Sequence, residues 1–336
     1  MMFDATTVIE NVSCIIPEMV LLVATLLVIV FDLFLSRKES YQSGILAFVG
    51  LACALCGLLV LRTEGPPAEA FSGLLLLDNL SYFFRVFFLV STIAVVVMSL
   101  MSKGLVENYR CGEYFVLLMS ATLGMMLLAA ATDFLMLVLA LETLSLASFV
   151  LVGYYKKDRS SSEAALKYVL FGSVASAIML YGISFLYGLT GTLSIADVFS
   201  VAMAKQAVNF NTVLVALILI MVGVGFKIAA VPFHFWAPDV YQGAPTPVTA
   251  WLSVASKAAG FAILFRLFGP LLPLGSLDDP HWGLKSLEQM AAHLRLDHFF
   301  WFLSVVTMFF GNLIALRQTN VKRLLAYSSI AHVGYL

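Results

Sequence analysis

Three ionisable side chains, Glu142, Lys227 and Lys257, stand inside long apolar runs. A charged side chain near the middle of a bilayer costs about 2.5–3.5 kcal/mol on insertion scales, so such residues call for a reason. Burial and a neighbouring opposite charge pull on a side chain's proton in opposite senses. A Glu142–Lys227 pair could therefore trade a proton as the two groups approach or withdraw, and Lys227 could pass it laterally to Lys257. Lysine suits that task because, unlike arginine, it changes protonation readily when buried.

The two lysines flank a proline-rich turn in GFKIAAVPFHFWAPDVYQGAPTPVTAWLSVASKAAGF, Gly225 to Phe261. Pro232 offers no N–H to the carbonyl of Ile228 and its ring crowds that turn, so the helix carrying Lys227 should break close to the lysine. Broken helices recur at transporter ion sites, and freed carbonyls could stabilise an ammonium. At a rise of about 1.5 Å per residue, Lys257 lies about 17 Å past Thr246 and Glu142 about 14 Å past Asp133, both near the middle of a core about 30 Å thick. Lys227, about 22 Å past Thr212, sits nearer the inner side.

Secondary candidates surround these three. His234, in the FHFW run beyond the break, could relay protons or cap the broken helix. His332 has a depth like that of Glu142 and could be a relay or a buried, hydrogen-bonded histidine. Lys167 stands near a helix end, where snorkelling to the surface competes with a relay role, and Arg85 and Arg266 are expected to snorkel as well. Asp133 precedes an apolar run as an N-cap would. The GVGFKI run lacks the third glycine of a dinucleotide loop. The Cys53/Cys56 CxxC lies in an apolar segment with no second CxxC, and His281, His293 and His298 have no ligand spacing, so no metal site is expected. No nucleophile constellation, phosphate loop or haem motif is present.

These residues need a membrane scaffold to position them. The 336 residues are 61% hydrophobic and 12% charged, with a mean hydropathy of +0.98, which excludes an ordinary soluble domain. With 19 Lys+Arg against 20 Asp+Glu, the balance points to no nucleic-acid partner. Met1 to Cys14 has no basic signal-peptide region, so Met19 to Leu35 reads as a spanning helix. Windows of about 20 apolar residues predict an all-α polytopic protein. The spans are Pro17–Leu35, Gly44–Leu61, Leu80–Met101, Glu113–Ala131, Asp133–Gly153, Glu163–Gly188, Thr212–Phe235, Thr246–Leu272, Phe299–Leu316 and Val321–Leu336. No segment has the alternation of a membrane barrel strand.

With the N-terminus outside, Arg37, Lys38, Lys103, Arg110, Lys156, Lys157, Arg159, Arg317, Lys322 and Arg323 fall inside, and only Arg62, Lys205, Lys285 and Arg295 outside. That asymmetry obeys the positive-inside rule. The long Gly269 to His298 loop is expected to separate two bundles, giving units at 1–112, 113–272 and 273–336. The last helix is short, with no flanking stop, so the chain reads as cut.

Leu139 to Gly172 (LALETLSLASFVLVGYYKKDRSSSEAALKYVLFG), Pro232 to Phe261 and Asn320 to Leu336 (NVKRLLAYSSIAHVGYL) together resemble the subunit N family of proton-pumping NADH:quinone oxidoreductase, respiratory complex I. The DVYQGAPTPVTAWLSVASKA run separates it from the sister subunits L and M and from multisubunit antiporters. The resemblance implies three leading helices and two inverted five-helix repeats, the second truncated here. It implies that Glu142 is the coupling glutamate, Lys227 the broken-helix lysine and Lys257 the lysine bridging toward the second half. It also implies proton translocation as part of an enzyme in a bacterial inner (plasma) membrane, beside subunit M and small membrane subunits. No cofactor is expected in this chain; NADH, FMN, iron-sulfur clusters and quinone belong to partner subunits. An Mrp-like secondary cation/proton antiporter and a non-pumping structural subunit are the competing readings.

Overall fold

A computed structural model of the chain describes residues 12–37, 39–60, 67–204, 210–269 and 296–336, without the side chains of 202–204 and 210. Long apolar runs satisfy their backbone groups internally by winding into helices, the economical solution where water is scarce. In chain order come α1 (Ile16–Phe34) and α2 (Gln42–Val60), a hairpin of β1 (Ala68–Ala70) and β2 (Leu75–Leu77), α3 (Asn79–Met101) and the short α4 (Lys103–Val106). Then follow α5 (Gly112–Ala130), α6 (Phe134–Val152), α7 (Arg159–Thr190), α8 (Ile195–Ala204) and α9 (Phe210–Ile228). The described chain closes with α10 (Trp236–Gly243), α11 (Thr246–Trp251), a π turn (Leu252–Ser256), α12 (Lys257–Phe268), α13 (Leu296–Ala315) and α14 (Val321–Tyr335).

Among the described residues, nine helices are long and apolar enough to cross a membrane, with α11 to α12 counted as one. The tenth expected span is α14, which has 15 residues. Side-chain caps set the starting points: Asp78 accepts from Ser81 N in a capping box, Asp133 from Leu135 N at 2.8 Å, and Asn320 from Lys322 N at 2.9 Å. Asp158 caps α7 through Ser160 N, so that helix begins four residues before the expected Glu163. The hairpin was not expected. It pairs Ala68 with Leu77 and packs Ala70 and Leu75 on Ala130 at the end of α5.

Small residues let neighbouring helices touch: a Cβ on Gly182 of α7 would stand 2.7 Å from the Ala216 carbonyl of α9. Outward faces are apolar, with Leu26, Leu139, Trp301 and Phe302 all exposed, as lipid contact requires. Cys53 and Cys56 are also exposed and free.

Two arginines contradict the snorkelling expectation. Arg85 is buried and paired with Glu18 of α1. Arg266 is buried and forks onto both oxygens of Asp78 at 2.7 Å, while its Nε donates to the Ala129 carbonyl at 2.9 Å. Each carboxylate comes from a segment distant in sequence, and a planar guanidinium is better satisfied by a fork than by a long reach to water. At another junction, Asp32 at the end of α1 accepts from Ser40, Ser43 and Arg110. Burial, with the Asp32 carboxylate adding to it, pushes the Cys111 thiol before α5 up to about 11.

Residues 270–295, which hold His281, His293, Lys285 and Arg295 of the expected boundary loop, lie outside the described residues, as do Asp4, Glu10, Lys38, Arg62 and Lys205. His298 is described; it is exposed and contacts Asp297 at 3.1 Å.

Two outcomes follow from this packing. Asp78→Ala strands Arg266, only 3% exposed at its side chain against 20% for Asp78. It should therefore destabilise by about 3–5 kcal/mol, more than Arg266→Met does, and the double variant should recover part of the loss; thermal unfolding in detergent ranks the three. Maleimide labelling of Cys111 in the folded protein should keep accelerating as pH rises beyond the ordinary thiol range, because the reactive thiolate forms only near pH 11. A plateau near pH 9 would contradict that environment.

Candidate functional site

The α9 helix stops at Ile228, four residues before Pro232, as the missing N–H predicts. Ala229 turns the chain with a left-handed φ of 59° and the Val231–Pro232 bond is cis. The freed carbonyls are then claimed by N–H donors. Gly225 O accepts from Ala230 N at 2.9 Å, and Phe226 O accepts from Ala229 N and from the Trp236 indole, each at 3.0 Å. Thr307 of α13 accepts from Val231 N at 3.2 Å and closes the turn.

Lys227 lies in the last turn of α9, where the helix dipole favours a cation, and is 1% exposed. Its Nζ donates to Ser145 Oγ of α6 at 3.3 Å, not to a freed carbonyl as expected. Glu142 stands one turn before Ser145 and is close enough to attract Lys227 electrostatically. Among the described residues, however, no carboxylate oxygen lies within 4.0 Å of Lys227 Nζ. The half-buried Glu142 keeps its enclosed Oε1 without a protein hydrogen-bond partner.

Lys257 is the first residue after the π turn. The π turn has no sequence signal, although such turns recur at functional sites. Lys257 is 5% exposed; its Nζ donates to Ser329 Oγ of α14 at 2.7 Å and lies 5.8 Å from the Tyr241 ring centroid. Gly260, one turn further, lies against Lys227. A Cβ there would come within 2.5 Å of Ile228 Cγ2 and 3.4 Å of Lys227 Cγ.

Several hydroxyl side chains stand on the helices around the lysines. Ser148 donates to the Ser145 carbonyl at 2.8 Å and reaches the Tyr168 phenol at 3.4 Å. Ser256, in the π turn, approaches Tyr168, and Ser329 approaches Tyr241, without the alignment of a full hydrogen bond. Among the described residues, five buried side-chain N or O atoms have no protein partner. Four of them belong to Glu142, His234, Tyr241 and Ser256, on the elements that carry or flank the two lysines. Buried polar groups are normally satisfied, so each of these atoms is a candidate partner for bound water.

The sequence-derived candidates thus separate. Lys227 and Lys257 are both buried, on helices that meet at Gly260, and Glu142 attracts Lys227 electrostatically. His234 is buried with its ring 4.4 Å from that of Phe235, and its Nδ1 makes no cap. His332 is exposed beside Tyr335, neither buried nor joined to Lys257. Lys167 is half-exposed and bonds Asp239 at 2.6 Å and Glu163 at 2.7 Å. Ser145, Ser148, Tyr168, Ser256, Tyr241, Ser329 and Asp239 escaped the sequence reading. The available signal was spacing, since Ser145 and Ser148 continue the Glu142 face at intervals of three.

Residues 131–276 and 284–336, more than half of the chain, match the family described as NADH:quinone oxidoreductase/Mrp antiporter, TM. NADH-quinone oxidoreductase subunit N 2 of Chloroherpeton thalassium is 44% identical over 327 residues, covering 96% of this chain and 61% of the relative. A chain of respiratory complex I from Thermus thermophilus, solved with bound Aureothin, is 34% identical with a TM-score of 0.74 over 95% of this chain and 63% of that one. A chain of a membrane-bound sulfane sulfur reductase, an archaeal respiratory membrane complex, is 25% identical with a TM-score of 0.71 over 96% of this chain and 63% of that one. This chain spans 59–63% of the length of curated relatives it matches. Its sequence agreement, its apolar helices and its shared architecture lead to one assignment: the chain belongs to the NADH:quinone oxidoreductase/Mrp antiporter transmembrane family.

Proposed function

We propose that this chain carries protons within the membrane arm of an NADH:quinone oxidoreductase, as a subunit N, driven by quinone reduction in partner subunits. The observation that carries the reading is the pair of buried lysines, each held by a serine hydroxyl. Lys227 gains and loses a proton as Glu142 approaches or withdraws, and passes it through water near Ser148, Tyr168 and Ser256 to Lys257. Ser329 on α14 accepts a hydrogen bond from Lys257 and can take its proton only as it releases its own hydroxyl proton to a water beyond. A hydroxyl both donates and accepts, so it can hand a proton on where a backbone carbonyl cannot.

NADH, FMN, iron-sulfur clusters and quinone are assigned to partner subunits. Among the described residues, no three His, Cys, Asp or Glu side chains converge as metal ligands. The membrane is proposed to be a bacterial inner membrane with the N-terminus outside, on the charge asymmetry of the loops and the bacterial origin of the similar subunits. An antiporter working without a redox partner remains the competing reading, since the family description names Mrp antiporters too.

The full-length protein, assembled in its complex in inside-out vesicles, tests this. Lys227→Arg should abolish proton pumping at unchanged assembly, because the guanidinium holds its proton; wild-type pumping by that variant would end the reading. Ser145→Ala should slow pumping by about tenfold, the effect of losing roughly 1.4 kcal/mol, while Ser145→Thr retains the hydroxyl and most of the rate. Sodium–proton exchange that persists with the quinone reductase inhibited would favour the antiporter.

A further inference from the structure

The short helix α10 touches both lysine environments. At its start, the Trp236 indole donates to Phe226 O, one residue before Lys227, and stacks on Tyr168 at 4.6 Å with an interplanar angle of 20°. Near its end, the Tyr241 ring faces Lys257. Between them stands Asp239, which accepts from Lys167 of α7 at 2.6 Å through one oxygen and from Arg323 of α14 through the other. Arg323 also reaches Gln242 at 3.1 Å, and Lys322 donates to the Ala244 carbonyl at 2.9 Å. On its α7 side the helix is pressed close: a Cβ on Gly243 would lie 2.5 Å from Ser160 O.

We propose that Asp239 is a positioning residue for the proton path, fixing α10 between α7 and α14 so that Trp236 and Tyr241 hold the settings of Lys227 and Lys257 together. The inference rests on the relay reading above. Asp239 is half-buried, is ion-paired with Lys167 and Arg323 and not with Lys227 or Lys257, and acts only through the helix it anchors. The charged groups facing it are Lys167 and Glu163 on α7 and Arg323 on α14. Two cations on two helices meet one carboxylate, and such charge-assisted bonds are short and directional. Ser329, which receives the Lys257 ammonium, lies on the same α14 whose first turn Asp239 holds. Loss of the carboxylate therefore loosens both sides of Lys257 at once.

The test uses the full-length protein in its assembled complex, comparing Asp239→Asn and Asp239→Glu with Lys227→Ala as the control for the relay. The readout is protons moved per quinone reduced, at equal amounts of assembled complex. Asp239→Asn should lower that ratio by about fivefold or more, and Asp239→Glu, which keeps a carboxylate, should restore at least half of it. An unchanged ratio in Asp239→Asn, or equal impairment of the Asn and Glu variants, overturns the proposal. If Asp239→Asn fails to assemble, the Lys167→Gln/Arg323→Gln double variant, which keeps the carboxylate and removes its partners, carries the same comparison. Failure of that variant to assemble as well assigns Asp239 a purely structural role and also overturns the proposal. Wild-type pumping by Lys227→Ala would instead remove the relay reading itself.

Discussion

Lys227 has a serine hydroxyl where a buried ammonium would ordinarily take a carboxylate, and the rest of the interior is arranged around that choice. A full ion pair with Glu142 would satisfy both charges and resist separation in a low-dielectric setting. Bonding to Ser145 leaves the Glu142 attraction in place without an ion-pair contact. The ammonium is further eased by the C-terminal end of α9, whose partial negative charge is available because the helix stops there. The helix break and the separation of the charges thus meet at Lys227.

A break inside a bundle must be supported from outside itself. Thr307 of α13 takes the Val231 amide, Trp236 takes the Phe226 carbonyl, and Ile228 and Ala230 pack with Val333 of α14. Gly260 brings α12 against Lys227, so the helix bearing Lys257 and the helix bearing Lys227 meet with no side chain between them at that level. These contacts make the Lys227 and Lys257 settings parts of one assembly. The buried Arg266–Asp78 fork holds the far end of α12 in the same way.

How much of this could be read from the chain depended on whether the cause was local. Glu142, Lys227 and Lys257 were legible because each is an ionisable group in an apolar run, and the break was legible because Pro232 acts on its own turn. The Asp133 cap was visible for the same reason. Arg85 and Arg266 were misread because Glu18 and Asp78 stand far away in the sequence, and only the fold brings them into contact. The serines and tyrosines of the path were passed over because hydroxyl residues are ordinary in membrane helices; their direction toward the lysines depends on the packing of α6, α7 and α14. His332, expected to be a relay or a buried histidine, is exposed, because which face of α14 turns inward is set by packing. The π turn and the small hairpin arise from tertiary packing that no short window of residues encodes.

On the proposed proton route, the buried polar atoms of Glu142, Tyr241 and Ser256 are served by water. High-resolution cryo-electron microscopy of the full-length protein in its complex tests it most directly. Ordered water is expected within hydrogen-bond distance of Glu142 Oε1, Ser256 Oγ and Tyr241 OH, continuous from Lys227 to Lys257. A dry, close-packed interior there, or Glu142 bonded directly to Lys227 in every state of turnover, would contradict it.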